Sequence, residues 1–251
     1  VRILLLSDIH SNLEALEACL AAAPAHDMVV NLGDIVGYGA SPNEVIERSR
    51  ALGHIFVRGN HDKAASGAMD LRDFNPIAGL AALWTRDQLT PPNLKWLQGL
   101  PHGPIQTGEL SAVQFVHGSP VDEDEYVVTL RDAIEPLLTA ATPLTFFGHT
   151  HLQGSFCTNV VASDYYRPQY HTVGQSEIAE FPLKENMRYM VNPGSVGQPR
   201  DGDWRAAFAV FDAEARVVTF CRVPYNLKQA QDRIMAANLP QRLATRLAAG
   251  R

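Results

Sequence analysis

The chain lacks any apolar run approaching the roughly 20 residues of a membrane span. Its apolar opening stops almost at once, at Ser7, Asp8 and His10, so it does not read as a signal peptide either. Cysteine is scarce. Cys19, Cys157 and Cys221 are far apart and form no CxxC pair, which argues against a disulfide framework and for a reducing, cytoplasmic setting. There is no basic block, and 21 Lys and Arg against 27 Asp and Glu leave a net charge of -6. Extensive nucleic-acid binding is therefore not expected. A small anionic substrate is not excluded, because bound metal can supply local positive charge to an acidic protein. No GxxxxGK[ST] is present, which disfavours nucleotide hydrolysis by a phosphate loop. Internal repeats, low-complexity tracts and clear linkers are also missing.

What is present is 251 residues with a 46% apolar fraction, enough for a substantial core. A single domain over 1–251 is the simpler expectation. Residues 3–6, 28–31, 54–57 and 144–147 are short apolar runs that predict buried strands. Ser11 and Glu14 have capping-box spacing, so a helix is expected to begin at Ser11. Ser41, Pro42 and Glu44 give a second start signal. Further helices are expected over 76–87, 90–97 and 131–138, the last containing Pro136. Residues 58–63 read as a polar loop, and 104–116 as a hairpin turning at Gly108-Glu109. From 153 to 190 there is no helical period, which predicts strands and long turns that shape a pocket rim. A hairpin over 206–221 and C-terminal helices within 226–247 complete an α/β or α+β pattern.

Five polar loops each follow a predicted strand: Asp8-Ile9-His10, Gly33-Asp34, Gly59-Asn60-His61-Asp62, His117-Gly118 and Gly148-His149-Thr150-His151. An α/β sheet presents its ligand-binding loops at the carboxyl ends of its strands. Carboxylates, imidazoles and an amide oxygen suit divalent Mn, Fe, Ni or Zn. Each motif alone is weak: DxH can be a helix cap, Gly-Asp a turn, a single histidine a strand-end hydrogen bond. Capping gives no reason for the recurring histidines, so the set points to metal. His26, His54, His102 and His171 lack this setting, and only His171, inside the expected rim, is kept as a substrate-binding candidate.

The ordered set DxH, GD, GNHD, His, GHTH resembles the calcineurin-like metallophosphoesterase superfamily, in particular its small bacterial phosphoesterase branch. It spans roughly residues 3 to 151, and Asn192-Pro193-Gly194-Ser195 resembles a further loop of that branch. The resemblance implies a four-layer α-β-β-α sandwich with two mixed β-sheets. It implies two divalent ions, one held by Asp8, His10, Asp34 and His151, the other by Asp34, Asn60, His117 and His149. It also implies attack by a metal-bridging hydroxide, with His61 over the substrate phosphate and Asp62 orienting His61. The expected substrate is a small phosphorylated molecule, a nucleotide among the candidates, cleaved as a monoester or a diester. Arg58, Arg200 and Tyr38, with Tyr165, Tyr166 and Tyr170, are candidate substrate contacts. The other reading is a non-catalytic metal-binding scaffold of the same fold, against which the intact His61 and complete ligand set argue. Metal identity, substrate and oligomeric state stay open at this level.

Overall fold

The computed structural model describes residues 1–53, 55–159 and 161–251. The strands are β1 (Arg2–Leu6), β2 (Met28–Asn31), β3 (Ile55–Phe56), β4 (Ile105–Gln106), β5 (Val113–Phe115), β6 (Leu144–Phe146), β7 (Gly154–Thr158), β8 (Ser163–Tyr166), β9 (Glu177–Pro182), β10 (Arg188–Asn192), β11 (Ala206–Asp212) and β12 (Val217–Val223). The helices are α1 (Leu13–Ala22), α2 (Pro42–Leu52), α3 (Asn60–Ser66), α4 (Pro76–Gln88), α5 (Pro91–Gln98), α6 (Leu130–Thr139), α7 (Leu227–Ala236) and α8 (Gln241–Ala249).

Two six-stranded sheets form, ordered β3-β2-β1-β11-β12-β9 and β4-β5-β6-β10-β7-β8. Both are mixed. In the first, β1, β2 and β3 run parallel while β11 returns antiparallel against β1. In the second, β5, β6 and β10 are parallel and β7 is antiparallel to β10.

The layering follows from period-2 patterning in strands buried on both faces. In β1, Ile3 and Leu5 enter a core between the sheets, with Phe115, Phe146, Val191, Phe211 and Phe220. Leu4 and Leu6 face the opposite way, into a second core built with Leu16 of α1, Val45 and Ile46 of α2, and Leu243 of α8. Fully burying each such aliphatic side chain contributes about 1.5–3 kcal/mol. A third cluster packs α6, through Ala133 and Leu137, onto Phe156 and Met190 of the second sheet. Three apolar layers separate four layers of structure, the expected α-β-β-α sandwich. No helix among the described residues is long and apolar enough to cross a membrane.

Several local expectations change. Asn12, not Ser11, caps α1: its side chain accepts from the Ala15 N–H. Ser11 belongs to the preceding loop, with φ at 54° and its N–H on the Ile35 carbonyl. The expected loop 58–63 is largely helical, because Asn60 opens α3. The turn at Gly108-Glu109 lies in a 3-10 turn, Gly108–Leu110, and β4 still pairs antiparallel with β5. Pro136 sits inside α6 without ending it. Of the strand predicted over 54–57, residues 55–56 form β3, and His54 lies outside the described residues. The 153–190 segment supplies β7, β8, β9 and the start of β10.

Candidate metal centre

The parallel strands β1, β2 and β3 of one sheet and β5 and β6 of the other all end at one edge of the sandwich. Asp8, Asp34, Asn60, His117 and His149 follow those ends, so residues distant in sequence share one small volume. Potential ligand atoms of Asp8, His10, Asp34 and His151 lie within 4.8 Å of one another, as do those of Asp34, His117 and His149. Asp34 belongs to both groups. Asn60 joins the second through its side-chain oxygen, 3.3 Å from His117 Nε2. Asp8, His10, Asp34, His117, His149 and His151 are all buried, and Asn60 is half-buried.

The backbone is bent to achieve this. Asp8, His10, Asp34, His149 and His151 all have φ between 49° and 66°. Non-glycine residues in that left-handed region carry strain that persists only where the surroundings impose it. Here the loops are locked together. Asp8 N–H donates to the Gly33 carbonyl, His10 N–H to Asp34 and Ser11 N–H to Ile35. Ser195 Oγ donates to the Asp8 carbonyl at 2.7 Å, and Asn192 Nδ2 to the Gly148 carbonyl at 2.8 Å. Gly59 must be glycine: a Cβ there would run into Asp34 Oδ1.

The imidazoles test whether cations fit. His10 Nδ1 faces the Val36 carbonyl at 3.1 Å and His151 Nδ1 the Gln198 carbonyl at 2.6 Å. A carbonyl only accepts, so each Nδ1 carries the hydrogen. The two Nε2 atoms are then bare in the neutral rings, yet they lie 3.1 Å apart. Burial first, then nearby cationic groups, hold both rings well below the usual histidine pKa, so neither is a cation at neutral pH. Two lone pairs aimed at one another in a dry pocket need a cation between them. His117 differs: its Nδ1 lies on the Leu32 carbonyl at 2.8 Å and its Nε2 is 3.1 Å from His149 Nδ1 and 3.5 Å from Asp34 Oδ2. Burial opposes a charge on this ring, but Asp34 outweighs it and raises the pKa to about 9, so without metal a proton occupies Nε2 where a cation would otherwise sit. Asp8 Oδ1 and His149 Nε2 are buried without hydrogen-bond partners. Burial, then the neighbouring Asp34 charge, raises the pKa of Asp8. Burial opposes ionisation of Asp34 too, but His117 and His61 outweigh it and hold that pKa low. The donor set is that of divalent-metal sites: imidazole nitrogens whose other N–H is fixed by a carbonyl, with carboxylate oxygens beside them.

Residues 1–191 match the family described as calcineurin-like phosphoesterase. The chain belongs to the calcineurin-like phosphoesterase family. This phosphoesterase is 36% identical over 251 residues to an uncharacterized protein of Methanocaldococcus jannaschii, covering 99% of this chain and 98% of that one. It is similar in structure to a metallophosphoesterase from Sphaerobacter thermophilus, with a TM-score of 0.85 and 41% identity over 100% of this chain and 99% of the other. A hypothetical protein from Pyrococcus horikoshii shares the fold at a TM-score of 0.77 and 21% identity, over 100% and 98% of the two chains. The chain is a metal-dependent phosphoesterase.

Beside the phosphoesterase's ligand cluster lies a cavity of about 240 Å³, lined in part by Tyr38, Asn60, His61, Phe74, Tyr126 and His149. His61 is buried, its ring 4.3 Å from Tyr38, 4.8 Å from His10 and 5.0 Å from Phe74 between centroids. Its Nδ1 is enclosed without a partner, next to Gly37. Burial above all, with Arg200 and His117 adding to it, lowers the His61 pKa to about 4. Arg200 reaches the same place, with Nη2 3.4 Å from the Tyr38 hydroxyl.

Other candidates are placed differently. Asp62 does not meet the His61 ring; its oxygens accept the N–H groups of Gly59 and Asp34, each at 2.9 Å, and of Val36 at 3.2 Å. Its position at the third residue of α3 explains this, since a side chain there turns back onto the helix start. Arg58 is taken up by Glu123, through bonds of 2.9 and 2.8 Å. His171 is held through its backbone by Glu177 and, like Tyr165, Tyr166 and Tyr170, does not line the cavity beside the ligands. Tyr166 stacks on Phe181 at the sheet core. The 153–190 segment extends both sheets and helps line a separate cavity, with Gln153, Arg167 and Tyr170. The rim at the ligands comes instead from Phe74 and Tyr126. The sequence carried little sign of them, since both lie outside periodic runs. Tyr126 packs with its ring 3.9 Å from that of His149.

Proposed function

We propose that the chain hydrolyses a small phosphorylated molecule at a binuclear metal centre. The observation that carries this is the pair of bare, mutually facing nitrogens of His10 and His151, with His117 and His149 opposed on the other side of Asp34, the carboxylate common to both groups. Asp8, His10, Asp34 and His151 would hold one divalent ion, and Asp34, Asn60, His117 and His149 the other. Bound there, two cations would neutralise phosphoryl oxygens and bring the pKa of water towards neutrality.

The chain's own residues do the rest. Asn192 and Ser195 hold the ligand loops in register, so the ligand geometry exists before substrate arrives. Tyr38 and Phe74 wall the His61 ring and exclude water from it. Because Nδ1 is enclosed next to Gly37, Nε2 is the atom that would hold a proton for the leaving oxygen. The ring is neutral in the free protein. A neutral imidazole protonated on Nε2 can donate one hydrogen bond, and the negative charge of an arriving phosphoryl group favours full protonation. Arg200 and Tyr38 flank this position as substrate contacts.

The test uses protein stripped by chelator and re-supplied with manganese. We expect about two metal equivalents per chain and turnover of bis(p-nitrophenyl) phosphate that chelator abolishes. Metal uptake with no hydrolysis of any mono- or diester in a panel would favour the scaffold reading. A single equivalent at saturation would overturn the binuclear one.

A further inference from the structure

Several buried or half-buried arginines face a carboxylate: Arg58 meets Glu123, Arg205 meets Asp203 and Glu177, and Arg222 meets Asp201. Others, such as Arg86 and Arg188, give their donors to backbone carbonyls. Arg200 and Arg246 differ in that both converge on one aromatic ring. Arg200 lies in the loop between β10 and β11, and Arg246 stands on α8, 46 positions later in the chain. Both guanidinium groups lie over the Tyr38 ring, 5.9 Å and 5.5 Å from its centroid. Arg200 touches the Tyr38 hydroxyl and Gln198 Oε1, each at a long 3.4 Å, and its Nε is buried with no partner. Arg246 Nε donates to the Arg251 carbonyl at 2.5 Å. Among the described residues neither forms an ion pair. Tyr38 lines the cavity beside the ligands, and the charge of each arginine reaches His61.

Two cations converging on one ring, partly desolvated and without an anion, repel one another. Burial, then Arg200, accordingly disfavour the protonated form of Arg246. Tyr38 relieves part of this through its ring face, but the buried Arg200 Nε stays unsatisfied. An oxyanion placed between the two forks would satisfy it with charge-assisted bonds, the geometry in which guanidinium binds phosphate.

We infer that Arg200, Arg246 and Tyr38 form a subsite for a second anionic group of the substrate, so that the preferred substrates are phosphoesters carrying another phosphate-like oxyanion beyond the bond that is cleaved. The inference rests on the hydrolytic reading above. It makes Arg246, from an element outside the ligand loops, a specificity-determining residue.

Two aryl phosphodiesters test it. Both release p-nitrophenol; the second arm ends in a neutral hydroxyl in one and in a non-hydrolysable phosphonate in the other. With manganese-loaded wild type we expect kcat/KM to favour the phosphonate arm by about 10- to 100-fold, the scale of one or two charge-assisted bonds. Arg246→Met should collapse that ratio towards unity, chiefly through KM, and Arg246→Lys should recover part of it. Added 0.5 M salt should narrow the wild-type preference, as for an exposed charge contact. Equal kcat/KM on the two arms in wild type would overturn the subsite while leaving the hydrolase standing. So would an Arg246→Met that lowers both substrates alike with a lowered Tm, which marks a packing role for its bond to Arg251. Loss of turnover on both arms in metal-loaded wild type would instead strike the hydrolytic reading itself.

Discussion

At the scale of single residues, His61 and Gly59 make separable demands. The His61 side chain hydrogen-bonds to neither ligand group; only its backbone N–H meets Asp34 Oδ1, at 2.8 Å, while its ring packs against His10 and lines the cavity. His61→Ala should therefore retain both metals and lose about 10²–10⁴-fold in turnover on an ester with a poor leaving group. The loss should shrink as the leaving group improves, because a good leaving group needs no proton. A constant loss across an aryl series would reject the donor role. Gly59→Ala works the other way: its methyl would collide with Asp34, the carboxylate shared by both groups. Elemental analysis should show that variant losing metal, as Asp34→Ala should. The ligand candidates were legible because they are polar residues standing directly after apolar runs, where nothing about a turn requires histidine. Tyr126 and Phe74 were not legible, since an aromatic in an irregular stretch carries no sign of what it will pack against. Asp62 was misassigned because its neighbour in sequence is His61, whereas its hydrogen bonds reach Gly59, Asp34 and Val36.

At the scale of elements, the loop between β5 and α6 is tied to α3 by charge. Glu123 takes Arg58 in a two-pronged bond and also meets Lys63 Nζ at 3.1 Å. The hydrogen bond from Arg58 is the main reason its pKa falls from 4.5 to about 2. A carboxylate depressed by folding stabilises the fold fully above its unfolded pKa, and the contribution disappears as pH falls through the folded value. The stability gap between wild type and Glu123→Gln should thus be constant from neutrality to about pH 4.5, then narrow towards pH 2. Urea midpoints of chelator-treated proteins across that range measure it, and a gap that stays level down to pH 3 would contradict the assignment. Because the same loop carries Tyr126 over His149, Glu123→Gln should also raise KM. Elements with a clear period or cap signal, such as β1 and α2, were legible in the sequence. The start of α3 was not: Gly59-Asn60-His61-Asp62 reads as a polar loop until Asp62 is seen to turn back onto the Gly59 N–H. Long-range sheet order was equally hidden, since β11 joins β1 across more than 200 positions through backbone bonds that leave no local trace.

At the scale of the whole molecule, the metal centre is a junction between two sheets. One side of it hangs from β1, β2 and β3, the other from β5 and β6, and the loop after β10 ties them together through Asn192 and Ser195. Without cations the junction holds opposed imidazole lone pairs, an unpaired Asp8 oxygen and strained left-handed backbone, all buried. Each of these costs stability; bound metal would satisfy the lone pairs and the Asp8 oxygen and offset the backbone strain, and the unfolded chain cannot bind it in the same way. Metal must therefore stabilise the fold as a whole and not only the site. At free metal a hundredfold above Kd the gain is about 2.7 kcal/mol per ion. For a chain of this size each ion raises Tm by roughly 5–10 °C. Calorimetry with and without manganese should show one transition moving upward together with both sheets. If the site were a passive surface feature, chelation would leave Tm in place. If only one sheet were coupled to it, the chelated protein would melt in two steps.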